Sequence, residues 1–429
     1  MKKIITILFV LVLILTLVAC GGESENNPTD NAGTTNTHTN SPTNENPDNN
    51  NNNNSTSQPT ETTAFRYEDF TPSEGLAFEY NEEAGGYYVS GYGSCKNSTI
   101  VIPKTHYGID VVGIQSNAFQ KLLLSPDVYN VVLPDTITFI GGGAFSHQSI
   151  RSINLPNSIT YIGVSAFWDC DNLTSVTLPN GITQISDCTF GGCQKLETVS
   201  IPNSVTSIGV GAFKNCENLT NITIPSSVTS IGDSAFFRCS SITSITIPSS
   251  VISVGQLAFF ECTSLREIHL PHTAIEIQTN TYNQCFIENT AYYNNSQNWE
   301  NGILYIGNHL IKAQNDIIRC DIKAGTISIL PGAFYNCRTL VNVTIPTTVT
   351  NIGYRAFAYC EKLTNITIPE SVTSFGSEAF MWCENLTIFC KAKKEPTTWS
   401  DDWNCFYNNS FVVFWGDEWH YVDGVPTAK

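Results

Sequence analysis

A period of 23 residues governs this sequence. Ala-Phe recurs with its Phe at positions 119, 145, 167, 213, 236, 259, 334, 357 and 380, and Phe190 and Tyr282 hold the same register. From Phe167 to Tyr282 every spacing is 23. Pro stands eleven residues before the aromatic at 134, 156, 179, 202, 225, 248, 271, 346 and 369, and Cys three residues after it at 170, 193, 216, 239, 262, 285, 337, 360 and 383. Three residue types locked to one period mean that each period is one structural unit, stacked on the next to share a core.

One unit runs from Leu219-Thr-Asn-Ile-Thr-Ile-Pro225 through Ser226-Ser-Val-Thr-Ser-Ile-Gly232 to Asp233-Ser-Ala-Phe-Phe-Arg-Cys239. Ile222 and Ile224 alternate with Asn221 and Thr223, which predicts a strand with one buried face. Pro225 lacks the N–H that a ladder needs and ends the strand. Val228 and Ile231 turn apolar groups inward again, and Gly232 is expected to permit a turn. Ala235, Phe236 and Cys239 have the spacing of a single helical turn. Stacked at ~4.8 Å per strand, eleven such coils make a slab about 50 Å long.

The pattern Leu-x-x-Ile-x-Ile-Pro-x-x-Val-x-x-Ile-Gly-x-x-Ala-Phe-x-x-Cys resembles the BspA-type leucine-rich repeat from about residue 97 to 390. The resemblance implies a β-rich α/β solenoid, a right-handed coil with a parallel β-sheet on one face. The pattern lapses at Thr281-Tyr282 and across an insertion of about thirty residues between Phe286 and Asp316. Capping is needed at both ends, because a terminal coil leaves an open edge and an open core. Residues 64–96 supply two short alternating runs that read as a capping hairpin, and 391–429 an aromatic cap with Trp399, Trp403, Trp415 and Trp419. The array is thus expected over 97–285 and 317–390, with 286–316 inserted between.

Ahead of the array, Lys2 and Lys3 precede an apolar run from Ile4 to Val18. At 15 residues the run is short of the ~20 needed to span a bilayer, and it reads as a secretory signal over 1–19. Leu17-Val-Ala-Cys20 resembles the bacterial lipobox, which implies diacylglyceryl attachment at Cys20 and cleavage before it. Residues 21–63 hold 13 Asn, 10 Thr, four Pro, six acidic and no Lys or Arg residues. So little apolar surface cannot offset the entropy of ordering, so 20–63 is expected to be a disordered tether spanning roughly 35 Å.

Charge excludes one partner class. With 21 basic and 38 acidic residues the formal charge is −17, whereas nucleic-acid binding requires clustered Lys and Arg to neutralise phosphate. No Gly-x-Ser-x-Gly, His-Glu-x-x-His, phosphate-binding loop or Cys-x-x-Cys occurs, so the expectation is a protein that is not an enzyme and carries no metal or cofactor. His269 and His272 form the only close histidine pair, too few ligands for a metal site. The nine periodic cysteines stand in one column at ~4.8 Å, wider than the ~3.8 Å Cβ separation of a disulfide, and are expected to be buried free thiols. Cys95, Cys188, Cys320, Cys390 and Cys405 fall outside that column, and their pairing is open.

Outward strand positions form a broad field of hydroxyls and amides, represented by Thr177, Thr223, Thr246, Thr344, Thr367, Asn221 and Asn365. Such a face suits weak, multivalent contacts with protein or glycan. Aromatics gather in the insertion, where Tyr292, Tyr293 and Trp299 are candidate anchors ahead of a hairpin turning at Gly307-Asn308. These readings converge on an exported, lipid-anchored bacterial surface protein, an adhesin or interaction scaffold. The family resemblance implies host extracellular-matrix proteins, epithelial cells or other bacteria as partners. The rival is a surface glycan-capture protein serving nutrient uptake through its Trp-rich regions.

Overall fold

The computed structural model describes residues 67–122, 125–278, 285–406, 409–410, 412–422 and 424–429. The signal, Cys20, the tether and Tyr282 lie outside the described residues, as do the side chains of residues 405–411. From Tyr67 onward the chain forms one compact unit, a parallel β-solenoid of about 14 turns.

Each coil contributes two short strands where the sequence pattern predicts one. The first ladder is built from the Ile-x-Ile segments: Ser175–Thr177, Thr198–Ser200 and Asn221–Ile222 pair in parallel, each register advancing by 23. A second ladder runs through Gln184–Ile185, Ser207–Ile208, Ser230–Ile231, Ser253–Val254 and Glu276–Ile277. Between them the Pro carbonyl closes a turn, as in Val228 N–H to Pro225 O at 3.1 Å, so Pro serves where only its carbonyl is needed. Strands of two residues escape detection by alternation alone.

Gly232 has a different task from the turn expected of it. Its φ is not left-handed, and a Cβ there would come 2.6 Å from Val210 N and 2.7 Å from the Gly209 carbonyl carbon. The Gly column exists because neighbouring backbones approach too closely for any side chain.

The Ala-Phe segment is not a helical turn. Two residues four apart adopt left-handed φ in coil after coil: Ser165 and Asp169, Gly211 and Asn215, Ser234 and Arg238, Arg355 and Tyr359. In this turn every second N–H points toward the next coil, so that Ser165, Phe167 and Asp169 donate to Asp187, Thr189 and Gly191 at 2.9, 2.9 and 2.8 Å. Each left-handed non-Gly residue costs roughly 1–2 kcal/mol, offset by these coil-to-coil bonds at about 1 kcal/mol each.

Inside, the Phe column stacks face to face, with centroids 5.4 Å apart for Phe213–Phe236 and 5.2 Å for Phe236–Phe259. Every Phe of this run is fully buried, contributing about 1.5–3 kcal/mol apiece. The column tilts to an edge contact at Phe286, 6.4 Å and 71° from Phe259, and resumes at Phe334–Phe357.

Both ends and the insertion continue the ladders. Ala77–Asn81 and Gly86–Gly91 form an antiparallel hairpin whose second strand pairs in parallel with Ile109–Ile114. Thr387–Cys390 is followed in parallel by Val412–Trp415. Within the insertion, Ile303–Ile306 and His309–Ala313 form a hairpin, and its second strand pairs with Ser328–Ile329. Leu304 and Ile306 belong to the core before it, Ile303 and Tyr305 to the core after it, so both faces of this hairpin are buried. His309 closes the joint: its Nδ1 lies 2.6 Å from Ser328 Oγ and its Nε2 2.8 Å from Pro271 O. Because a carbonyl only accepts, Nε2 carries the proton in the neutral ring.

Candidate functional site

On the first ladder the middle residue of each strand points inward and its neighbours outward. Val176, Ile222, Ile245 and Val343 are buried, while Thr177, Asn221, Thr223, Thr246 and Thr344 are exposed. Register pairing carries the outward column along the array, from Ser175 through Thr198 to Asn221 and from Thr246 to His269. Charge enters late, at Glu267, Arg319 and Asp321.

At its C-terminal end this face changes character. Thr367 aligns with Phe389 and then Phe414, whose rings stack at 5.4 Å. Asn365 and Thr367 are only half-exposed, and Tyr421 Oη donates to Thr367 Oγ1 at 3.4 Å. The sheet therefore does carry aromatic groups, which alternation within one strand did not reveal because they come from the terminal coils.

Tyr292, Tyr293 and Trp299 are brought together, but the polar ends of Tyr292 and Trp299 are bonded to backbone carbonyls of the protein. Thr290 caps the short helix Ala291–Asn294 by accepting Tyr293 N–H at 3.1 Å. Tyr292 Oη donates to Tyr305 O at 2.7 Å and Trp299 Nε1 to Tyr293 O at 2.8 Å. All three are half-buried against the core, and Trp299 meets Tyr293 edge to face at 5.4 Å. This cluster fixes the insertion to the array and exposes only part of its ring surface.

The nine column thiols are free and buried. Cys193, Cys216, Cys239, Cys262, Cys360 and Cys383 each donate to the Phe carbonyl 26 residues earlier, as Cys216 Sγ does to Phe190 O at 3.1 Å and Cys262 to Phe236 at 3.0 Å, while Cys337 donates to Gln314 O at 3.5 Å. Burial pushes the Cys262 and Cys337 thiols up to about 12. Outside the column, Cys95, Cys320 and Cys390 are likewise free and buried. His269 and His272 are exposed, and among the described residues no three His, Cys, Asp or Glu side chains are grouped to hold a metal ion.

Two hollows indent the surface of the described residues. One, of about 460 Å³, follows the second ladder across Ser207, Ser230 and Ser253, with Asp187 and Asp233 on its wall. The other, of about 400 Å³, lies in the C-terminal cap between Lys391, Lys393 and the segment Gly416–Tyr421.

Stacked 23-residue coils, a parallel outward face and Phe and Cys columns define a leucine-rich-repeat solenoid. A family model described as the BspA type leucine rich repeat region matches in six copies over residues 90–208, 183–312 and 304–412. The chain belongs to this family. No curated protein matches it. Similar solved structures include a leucine rich cell surface protein of Faecalibacterium prausnitzii A2-165, 27% identical with a TM-score of 0.44, covering 74% of this chain and 88% of that one. A leucine-rich repeat protein of Bacteroides ovatus ATCC 8483 is 24% identical with a TM-score of 0.37, covering 77% and 90%. The pneumococcal vaccine antigen PcpA is 18% identical with a TM-score of 0.34, covering 75% and 81%.

Proposed function

We propose that the chain is a non-enzymatic binding scaffold displayed on a bacterial surface, an adhesin or interaction protein anchored through lipid on Cys20. The observation that carries this reading is the outward column of the first ladder, which offers an exposed Thr, Ser or Asn from coil after coil in register. A face that repeats one weak polar contact at each step gains affinity by adding steps. The partners it fits are proteins of host matrix, host cells or neighbouring bacteria. Export and anchoring rest on the leader from Lys2 to Cys20.

The test is a binding screen of the full chain against host-matrix proteins and bacterial cells, followed by variants on any partner found. Arg at Thr177, Thr223 and Thr246 together should abolish binding, while Trp299→Ala should leave it largely intact. Binding that survives the triple variant, or that the isolated segment 21–63 reproduces, rejects the first-ladder face.

A further inference from the structure

In a chain of net charge −17, the sequence Lys391-Ala-Lys-Lys394 gathers three of 21 basic residues within four positions. Some cations of the array meet carboxylates, as Lys104 does Asp135 at 3.1 Å, Lys121 Asp127 at 2.8 Å and Lys323 Glu300 at 3.0 Å, whereas others such as Lys195 and Lys214 meet an amide or a ring. Among the described residues neither Lys391 nor Lys393 has a carboxylate oxygen within 4.0 Å, and both line the hollow of the C-terminal cap.

The opposite wall is aromatic and rigidly set. Trp419 Nε1 donates to Cys390 O at 2.9 Å, and Tyr421 stands edge to face on Trp419 at 5.3 Å and 75° while remaining 50% exposed. The segment beneath is pinned: Gly416 has φ +48°, and a Cβ on it would come 3.1 Å from Lys393 Cα. Glu418 Oε2 accepts Trp415 N–H at 2.7 Å, and Glu418 O accepts Lys429 N–H at 3.0 Å. His420 and Asp417 complete the lining, so the two ammonium groups outnumber the one carboxylate.

We infer that this hollow binds a carboxylate-bearing sugar unit of an acidic glycan. A pyranose presents an apolar C–H face, which the exposed ring of Tyr421 accepts, and a carboxylate, which Lys391 and Lys393 neutralise. Asp417 is placed for a sugar hydroxyl, a donor that an anion alone lacks. A volume of about 400 Å³ falls in the range of small-ligand sites, ~300–1,000 Å³, and admits one or two sugar rings. The site adds a second ligand class to the proposed scaffold and does not depend on Thr177, Thr223 or Thr246 of the first-ladder face, although Tyr421 bonds Thr367 at the end of that face.

Affinity electrophoresis and calorimetry on the full chain in detergent test this, with polygalacturonate and polysialic acid as probes, dextran as the neutral control and poly-glutamate as the acidic peptide. At least one acidic glycan should bind, more weakly as salt rises from about 50 to 300 mM. Lys391→Glu with Lys393→Glu should lower affinity at least about tenfold and Tyr421→Ala about tenfold, the scale of an interface hot spot. Lys362→Glu, a charge change elsewhere, should have little effect, and Lys393→Arg should retain binding. The inference is overturned if neither acidic glycan binds or if dextran binds equally. Poly-glutamate binding as tightly with Tyr421→Ala silent overturns it too, as does Lys362→Glu matching the double variant. Loss of the Thr177, Thr223 and Thr246 face should leave glycan binding unchanged, which separates this site from the scaffold reading.

Discussion

Cys239 Sγ donates to the carbonyl of Phe213 at 3.1 Å, 26 residues back along the chain and one coil away in space. The same oxygen already accepts Cys216 N–H at 3.1 Å, so the Cys239 thiol adds a second bond to a carbonyl already used within the Phe213 turn. The column cysteines therefore act as donors as well as small apolar fillers, which explains why Cys recurs where Ala or Val would pack.

Burial shields the column thiols from reagent, and in Cys170, Cys193, Cys216, Cys239, Cys262, Cys285, Cys337 and Cys360 it also opposes ionisation, so alkylation is slow. Iodoacetamide should label none of the nine column cysteines in the native protein and all nine after denaturation, as read by peptide mass mapping. Fast native labelling, or disulfides between neighbouring coils, would contradict the arrangement.

Phe213→Ala removes a ring stacked on both sides, by Phe190 at 5.7 Å and Phe236 at 5.4 Å. The expected cost is ~3–5 kcal/mol. Since each coil is held by its neighbours, hydrogen exchange should accelerate within one or two coils of residue 213, and uniform acceleration along the chain would refute nearest-neighbour stacking.

Two glycines should respond differently to Ala. At Gly232 the new Cβ meets backbone atoms of the previous coil, an overpacking cost of ~1–3 kcal/mol. Gly307 has open space but φ +56°, so Gly307→Ala should cost roughly 1–2 kcal/mol through backbone strain alone. Denaturant melts of Gly307→Asn, which tolerates this φ better, should recover part of that loss, whereas Gly232→Asn should be worse than Gly232→Ala.

Acid should loosen the joint at His309. Burial holds its pKa below 6.5, so the unfolded chain binds the proton more readily and stability increases with pH across this window. The contribution is complete above about pH 6.5 and is lost as pH falls toward the folded value. Melting temperature against pH should show this loss in the natural chain and a flatter profile in His309→Gln.

Cys20→Ser should leave the protein unprocessed or release it from membranes. Detergent partitioning and the mass of the mature N-terminus decide this, and an unchanged result for both would remove lipid anchoring from the proposed function.

The stacked coil was legible because Pro, Phe and Cys each repeat in phase, and the inserted strands at Ile303–Ile306 because Gly307-Asn308 marks their turn. The second ladder was not, since Ser207–Ile208 and Ser230–Ile231 are too short to show alternation. The left-handed turn residues were invisible for another reason: Ser165, Leu257, Glu261 and Trp382 all adopt φ near +60°, and no side-chain preference announces it. Of the functional candidates, the hydroxyl face could be read from strand phase, whereas the meeting of Lys391 with Tyr421 depends on the chain reversing through Gly416.

A solenoid pulled along its length peels from one end, turn by turn, because each turn is gripped only by the next. The hairpin at Ile303–Ala313 interrupts that process, with alternate side chains committed to opposite cores and His309 bonded across to Pro271. Load applied at the C-terminus therefore consumes the turns beyond Ser328 first and then stalls. The extension of a single molecule should show a pause of contour length set by residues 328–429, after which the N-terminal turns yield as a second, separate series.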